Sequence, residues 1–195
     1  MKIHPRVSPL ALCALLALST AAAAQDLDRR RAAAREAAMT LMQDLGSELK
    51  AAMQSGGPEA AVSVCTERAP AITASVSRAR GWRVTRVSSR YRNPLLGMPD
   101  NWEARTLERF RERHAAGESY KGMSRGERVE QAGQAYYRYM QAIPMKGLCV
   151  SCHGAKESLA PDVQAMLSER YPHDRATGFA VGDLRGAFSI RQPIE

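Results

Sequence analysis

The sequence predicts an α+β fold in which an antiparallel sheet is flanked by helices. Three observations support this fold class. A long amphipathic helix lies near the N-terminus, later segments have the composition of strands, and the elements follow the order helix, helix, strand, helix, strand, helix, strands. This order lacks the regular βαβ alternation that builds a parallel sheet, so we expect the strands to pair in antiparallel fashion.

The first helix is predicted from Asp26 to about Met53. This stretch is rich in Ala, Arg, Glu, Leu and Met, and its apolar residues recur at spacings of four and three. Residues with this spacing share one helix face, which can pack against a core. They are Ala38, Met42, Leu45, Leu49 and Ala52. The "SGG" run that follows, residues 55–57, is expected to end the helix.

A second helix is predicted to begin at Pro58, because proline suits the first turn of a helix. Its apolar face carries four residues at helical spacing, so the cysteine among them is expected to point inward. These residues are Val62, Cys65, Ala69 and Ile72. Pro70 should bend or interrupt this helix, because proline removes a backbone hydrogen bond.

The middle of the chain contains a predicted strand followed by a predicted helix. Residues 81–89 have β-branched content and partial alternation, which favours a strand. Asp100 stands three residues before Glu103, which is the spacing of a capping box. A helix that carries Leu107 and Phe110 on one stripe should therefore start there.

The rest of the chain is predicted to contain a loop, a strand, a helix and two final strands. Residues 117–127 are interpreted as a polar loop, and the aromatic, β-prone residues 134–143 as a strand. Pro161 is expected to open a short helix that ends near Arg170. Residues 178–194 are interpreted as two strands punctuated by glycine.

Residues 1–24 are predicted to be a secretory signal peptide. A basic start precedes an apolar run from Leu10 to Leu18, and small residues follow it. The run is shorter than the roughly 20 residues of a membrane-spanning helix, so we expect no stable membrane insertion. Residues 25–195 should form one periplasmic domain. A lipoprotein anchor at Cys13 is disfavoured, because Leu12 stands where a small residue is expected.

The charge pattern disfavours nucleic acid as a partner. The chain has a formal net charge of +8, which falls to +6 when the two basic residues of the signal peptide are removed. Arginine is spread along the chain and is not interleaved with aromatic residues, as a base-stacking surface would require. The charge instead suits an acidic redox or signalling partner, or solubility alone.

The segment "GLCVSCHG", residues 147–154, carries the strongest chemical signal. Cys149 and Cys152 are separated by two residues, and His153 follows directly. In c-type haem attachment, both thiols add to the vinyl groups of haem and the histidine binds the iron from one side. Because the motif occurs once, the sequence predicts one covalently attached haem c.

Two other interpretations of this motif are weaker. A thioredoxin-like dithiol would follow a parallel strand in a βαβ unit, and no such unit is predicted nearby. A zinc site would need more ligands from His153, His173, His114 or Cys65, without the paired spacing typical of zinc sites. Export to a compartment where haem is attached covalently agrees with the c-type interpretation.

The second axial ligand of the iron could be a methionine, a second histidine or a cysteine. The methionine candidates are Met98, Met123, Met140 and Met145. Any one of them could equally be core packing. His114 and His173 are expected to be surface or cap residues. Cys65 has no cysteine partner in an oxidising compartment, so it is either a small buried side chain or an iron ligand.

Three segments together resemble the Tll-like family of single-haem c-type domains. They are "RNPLLGMPDNWE" (Arg92 to Glu103), "CVSCHG" and "YPHDRATGFAVGDLRGAFSI" (Tyr171 to Ile190). The similarity extends over almost all of the mature chain. It implies a PAS-like α+β fold and an iron held by the motif histidine and a helix cysteine. In this sequence those two positions are His153 and Cys65.

These features predict a periplasmic haem protein that senses redox state or a small ligand such as CO or NO. A thiolate opposite an imidazole favours ferric iron, and its release on reduction would open a position for a small ligand. The alternative is a low-potential electron-transfer cytochrome c whose sixth ligand is a methionine or histidine. No catalytic acid or base accompanies the motif, so a peroxidase or other enzyme is not expected. The candidate partners of the haem propionates are Arg92, Arg175 and Lys146.

Overall fold

The computed structural model describes the backbone of residues 9–194 and the side chains of residues 22–194. The predicted α+β class, with a long N-terminal helix and an antiparallel sheet, is confirmed. Part of the predicted signal peptide, residues 1–24, lies outside the described residues, and so does the side chain of Cys13. Within the described part, no helix has the length and apolarity needed to cross a bilayer.

Helix α1 spans Pro9–Ser63 and is broken near its end. Gly56 and Gly57 have backbone angles outside the helical region, and the φ of Gly57 is 66°, which glycine adopts at little cost. The break falls on the predicted "SGG" stop. The helix begins before Asp26, so that predicted start is wrong.

The second helical segment contains a widened turn. A π-helical turn, Val64–Arg68, directly follows α1, and helix α2, Ala69–Arg80, follows the turn. Pro70 lies in the first turn of α2. The interruption predicted at Pro70 is therefore this π-turn, which carries Cys65.

Four more α-helices and four strands follow in the described part of the chain. The helices are α3 (Pro94–Gly97), α4 (Asn101–Ala115), α5 (Val150–His153) and α6 (Pro161–Arg170). The strands are β1 (Arg83–Val87), β2 (Ser124–Gln131), β3 (Gln134–Pro144) and β4 (Leu184–Ile194). They form one antiparallel sheet in the order β1-β4-β3-β2. The strands predicted at residues 81–89 and 134–143 and the helix predicted at Pro161 are confirmed.

Strand β2 corrects the prediction of a polar loop at residues 117–127. Ser124–Gln131 is an edge strand that pairs only with β3. Its side chains are half-buried or exposed, so it lacks the apolar alternation that marks a strand in sequence. Ala132 and Gly133, with φ values of 52° and 77°, form the tight turn that joins the two strands.

The C-terminal segment corrects a second prediction, because residues 178–194 form one strand and not two. Residues 178–183 make backbone hydrogen bonds with the motif segment instead. The Gly178 N–H donates to the Gly154 carbonyl at 2.6 Å, and the Phe179 N–H donates to the His153 carbonyl at 2.9 Å. These contacts are far apart in sequence, so local composition could not reveal them.

The sheet lies between helices on both faces. Alternate strand residues point to opposite faces, as the period of two requires. Tyr137 and Tyr139 of β3 pack with α1, while Met140 and Ala142 pack under α4. The α1 residues in the first core are Ala34, Ala37, Ala38 and Leu41. Of the predicted apolar face of the first helix, Ala38 belongs to this core and Met42 and Leu45 pack against it, whereas Leu49 and Ala52 are not part of it.

Helix α4 is fixed by a capping box and a buried cation. The Glu103 N–H donates to Asp100 at 2.9 Å, and Glu103 accepts from the Asp100 N–H at 2.8 Å, as the spacing predicts. Arg138 of β3 contacts both carboxylates, at 2.8 and 3.2 Å. Burial raises the pKa of Asp100, but hydrogen bonds from Arg138 and the Glu103 N–H outweigh it and lower that pKa overall.

We expect Gly186→Ala to destabilise the protein. A Cβ at this position of β4 would overlap the Val87 carbonyl oxygen and lie 3.0 Å from the Ser88 Cβ. Relief of this overlap needs a backbone shift, with a cost of about 1–3 kcal/mol in the free energy of unfolding. Urea unfolding measures this change. Gly46→Ala is the control, because a Cβ there meets nothing within 4 Å; equal losses in both variants would contradict the steric argument.

Candidate functional site

One cavity brings together the four residues that the sequence singled out. Cys65, Cys149, Cys152 and His153 all line a cavity of about 730 Å³. Sites that bind cofactors and other small molecules have volumes of about 300–1,000 Å³. The cavity is therefore large enough for a cofactor. Its wall is built from the end of α1, the π-turn, α2, the sheet and the motif segment.

Much of the cavity wall is apolar. Leu45, Leu49 and Met53 of α1 line one side, and sequence analysis assigned Leu45 and Leu49 only to a packing face. Leu96 and Leu148 also line the cavity, and they are 57% and 44% exposed. Exposed leucines at the rim of a cavity favour an occupant with a large apolar surface.

Cys65 reaches the cavity from the π-turn as a free, half-buried thiol. The Thr66 hydroxyl donates to the Val62 carbonyl at 2.8 Å and accepts from the Tyr171 hydroxyl at 3.2 Å. The second bond ties the turn to the residue that follows α6. Single π-turns inside helices are often found at functional sites. The predicted inward orientation of Cys65 agrees with this position.

Cys149 and Cys152 lie on a short helical segment. A 3-10 turn, Gly147–Cys149, leads directly into α5, and both thiols are free. Burial raises the pKa of the Cys152 thiol, so it is protonated at neutral pH. Gly154 closes this segment, and a Cβ there would lie 2.6 Å from the Val150 carbonyl oxygen. The glycine after the motif histidine is therefore a steric requirement.

His153 is held with its two ring nitrogens in different environments. Its Nδ1 lies 2.6 Å from the Ala176 carbonyl oxygen, which only accepts, so Nδ1 carries the proton. Nε2 then has the free lone pair that a metal requires, and it accepts from the Arg185 Nε at 3.4 Å. Burial, with the charges of Arg185 and Arg92, holds the pKa of His153 well below its usual value. The ring is therefore neutral at pH 7.

Arg92 joins the motif to the segments on either side of it. Its Nε donates to Asp174 at 3.0 Å, and one terminal nitrogen donates to the Cys152 carbonyl at 2.5 Å and the Ala176 carbonyl at 3.3 Å. The Arg92 side chain is only 9% exposed. We call this arrangement the Arg92 clamp. It brings together the three segments that resemble the Tll-like family.

The other candidate iron ligands lie away from the cavity. Met98 is on the surface, while Met123, Met140 and Met145 are buried in core clusters. His114 stacks on Tyr120, with ring centroids 4.0 Å apart. His173 lies beside a separate small pocket, together with Arg175. Met53, which stands at the predicted end of the first helix and was not a candidate ligand, is a methionine on the cavity wall.

Sequence reasoning missed four arginines on the cavity wall, which are Arg78, Arg86, Arg170 and Arg185. Arg86 of β1 and Arg185 of β4 both line the cavity. Of the three predicted propionate partners, Arg92 lines the cavity, whereas Arg175 and Lys146 do not. The alternation of β1 places Arg86 on the same side as Val84, but nothing in the sequence showed that a cavity lies there.

The donor set fits a haem held through two thiols. Among the described side chains, no three His, Cys, Asp or Glu residues are close enough together to hold a bare metal ion. The four candidate residues instead surround a common space. Two thiols, a neutral imidazole and a further sulfur around a large, partly apolar cavity match the attachment and axial groups of haem c.

Comparison with known proteins agrees with the fold and with the sequence resemblance. The family model described as Tll0287-like matches residues 20–193. The chain belongs to the Tll0287-like family. A similar solved structure is that of the cyanobacterial heme-protein Tll0287, with a TM-score of 0.61 and 24% sequence identity. The match covers 88% of this chain and 96% of that chain, and it shows a common fold. No curated protein matches the chain.

We expect Arg92→Ala to destabilise this member of the Tll0287-like family strongly. The change removes the cation beside Asp174, a carboxylate with only 12% exposure, and leaves two carbonyls without this donor. An uncompensated buried charge costs about 3–5 kcal/mol in the free energy of unfolding, which urea unfolding measures. Arg175→Ala is the control, because that arginine is exposed over the Tyr91 ring. Similar losses in the two variants would show that the Arg92 clamp contributes no more to the free energy of unfolding than an exposed arginine does.

Proposed function

We propose that this protein is a periplasmic, single-haem c-type protein that senses redox state or a small ligand. Cys149 and Cys152 attach the haem, and His153 and Cys65 bind its iron from opposite sides. The observation that carries this proposal is the convergence of these four residues on one cavity. The similar structure is that of a heme-protein, which supports the choice of cofactor.

Each residue of the motif has a defined role in the proposed site. Cys149 and Cys152 form the two thioether bonds. His153 offers Nε2, because its Nδ1–H is committed to the Ala176 carbonyl. A histidine ligand whose other nitrogen donates to an acceptor is fixed in orientation and made more basic. When bound, haem supplies an iron centre that exchanges one electron and can bind small diatomic ligands.

Cys65 is the residue that makes this site suited to sensing. As a thiolate it favours ferric iron, and it is held less firmly when the iron is reduced. Release of Cys65 would then free the π-turn that carries it. The Tyr171–Thr66 hydrogen bond would transmit this movement to the end of α6. A ligand exchange would thus become a change in helix position.

An electron-transfer role is the second candidate, and the cavity rim favours it. Leu96 and Leu148 are exposed apolar residues at the rim, where a redox partner could pack close to the haem edge. This role requires a sixth ligand that stays bound in both oxidation states. Met53 on the cavity wall is a second sulfur that could serve. A catalytic role is not part of the proposal.

We expect the exported chain to carry the added mass of one haem. The protein should be produced in a host with haem-attachment machinery and analysed by mass spectrometry under denaturing conditions. Cys149→Ala with Cys152→Ala should lose the added mass, since both thioether bonds are then absent. Cys65→Ala should keep it, because Cys65 forms no bond to the porphyrin. Wild-type protein without the added mass would refute the proposed function.

We expect Cys65→Ala to change the ferric absorption spectrum from low spin to high spin and to raise the reduction potential. Loss of an anionic sulfur ligand destabilises ferric iron, and axial ligands adjust haem potentials over a range of about 0.8 V. Absorption spectroscopy and redox titration measure both effects. Met53→Leu is the matched control and should leave both unchanged. A Met53→Leu variant that alone changes the spectrum would assign the sixth ligand to Met53.

Binding of CO to the reduced wild-type protein separates the two roles. A sensor that releases Cys65 on reduction should bind CO as fast as the Cys65→Ala variant does. A carrier keeps its sixth ligand, so CO should bind much more slowly than in that variant. Stopped-flow absorption of the two proteins side by side makes the comparison directly.

A further inference from the structure

Two arginines from neighbouring strands meet on the sheet side of the cavity. Arg86 lies on β1 opposite Phe188 of β4, and Arg185 lies near the start of β4. Both side chains line the cavity. The Ser88 hydroxyl donates to the Arg185 carbonyl at 2.7 Å and so links the two strands at this point. The two guanidinium groups therefore belong to one rigid surface.

Neither arginine has a carboxylate of its own among the described residues. Asp174 is close enough to influence Arg185, but it is already paired with Arg92 at 3.0 Å. Arg185 donates instead to His153 and to the Arg90 carbonyl, at 3.4 and 3.2 Å. Three arginines and one carboxylate thus leave an excess of two positive charges beside the motif histidine.

This concentration of positive charge is unfavourable without a partner. Burial, followed by repulsion from Arg92 and Arg86, lowers the pKa of Arg185 to about 10. The Arg86 side chain is exposed and lines the same cavity, so it adds a second positive charge to that wall. Buried charges are normally paired, because an unpaired charge loses its hydration without compensation. An occupant with two negative charges would restore the balance.

Arg185 must also give up its hydrogen bond to His153 when a metal binds there. The lone pair on Nε2 that now accepts from the Arg185 Nε is the one that a metal would use. The freed guanidinium presents a planar set of donors, which matches a carboxylate in two-point contact. Arg92 is less suited to a two-point contact, because its Nε and one terminal nitrogen hold the Arg92 clamp and only its other terminal nitrogen is left to donate.

We propose that Arg86 and Arg185 bind the two carboxylates of the tetrapyrrole, so that the cavity selects a dicarboxylate porphyrin. This inference rests on the proposed haem function and names the groups by which the cavity recognises the cofactor. It reassigns the propionate contacts from Arg175 and Lys146 to two residues on the sheet.

Porphyrin binding to the full chain tests the inference without covalent attachment. A Cys149→Ala, Cys152→Ala background is titrated with ferric haem and with its dimethyl ester, and absorption gives both dissociation constants. We expect the diacid to bind at least about tenfold more tightly than the ester, since two charge-assisted contacts are lost on esterification. Arg86→Gln combined with Arg185→Gln should reduce this preference to near unity and leave ester binding almost unchanged.

Arg78→Gln is the matched control, because Arg78 also lines the cavity but lies on α2 and not on the sheet. It removes the same charge and should keep the preference for the diacid. Arg86→Lys should retain part of the preference, because the charge remains. An equal loss of preference in Arg78→Gln would show that any positive charge at the cavity favours the diacid. This result would overturn the assignment to Arg86 and Arg185. Equal loss of diacid and ester binding in the double variant would reduce both arginines to a structural role.

The holoprotein gives a second readout. Resonance Raman bands of the propionate bending modes respond to hydrogen bonds at the carboxylates. They should shift in Arg86→Gln and stay in place in Arg78→Gln; unshifted bands in both would contradict the proposal. The covalent haem mass is measured on the same samples. The haem could be attached normally while the protein shows no preference for the diacid and the propionate bands do not shift. This result would refute the inference and leave the proposed function intact.

Discussion

The Arg92 clamp is the interaction on which the site depends most. One buried guanidinium holds Asp174, the Cys152 carbonyl and the Ala176 carbonyl, so three distant parts of the chain meet at a single point. The Ala176 carbonyl also accepts from the His153 Nδ1–H. Arg92 therefore acts on the same oxygen that governs the basicity of the motif histidine, because hydrogen bonds that share an acceptor compete for its electron density. The cation that fixes the geometry of the site also adjusts its chemistry.

The two proposed axial residues, His153 and Cys65, are held in place by different kinds of contact. His153 is surrounded by the Arg92 clamp and by backbone hydrogen bonds from residues 178–179. Cys65 lies on a π-turn that is tied to the rest of the protein by the Tyr171–Thr66 side-chain bond and by the ion pairs Arg68–Glu48 and Arg170–Glu67. These two ion pairs are exposed, and exposed ion pairs contribute little to stability, whereas the Arg92 clamp is buried. This difference suits the proposed site, in which the histidine is kept and the cysteine is released.

Elements with a strong local signal could be predicted from the sequence, and those defined by distant contacts could not. The capping box at Asp100 and the proline that starts α6 are local, and both predictions are confirmed. Strand β2 is polar because it is an edge, and residues 178–183 are bound to the motif rather than to a strand. In the site, helical spacing predicted that Cys65 points inward, and its role as an iron ligand was implied only by the resemblance to the Tll-like family. Arg86 and Arg185 could not be found, because arginine is common throughout the chain and the cavity arises only in three dimensions.

The charges of the cavity connect the two proposals. In the proposed site, the two porphyrin carboxylates would balance the excess of two positive charges that Arg86, Arg92, Arg185 and Asp174 leave. Arg78, which also lines the cavity, would remain as a further cation. A bound haem would supply an iron whose charge falls by one on reduction, so that a Cys65 thiolate bound to it would be less well balanced in the reduced state. The proposed arginine contacts therefore agree with the proposed release of Cys65 on reduction.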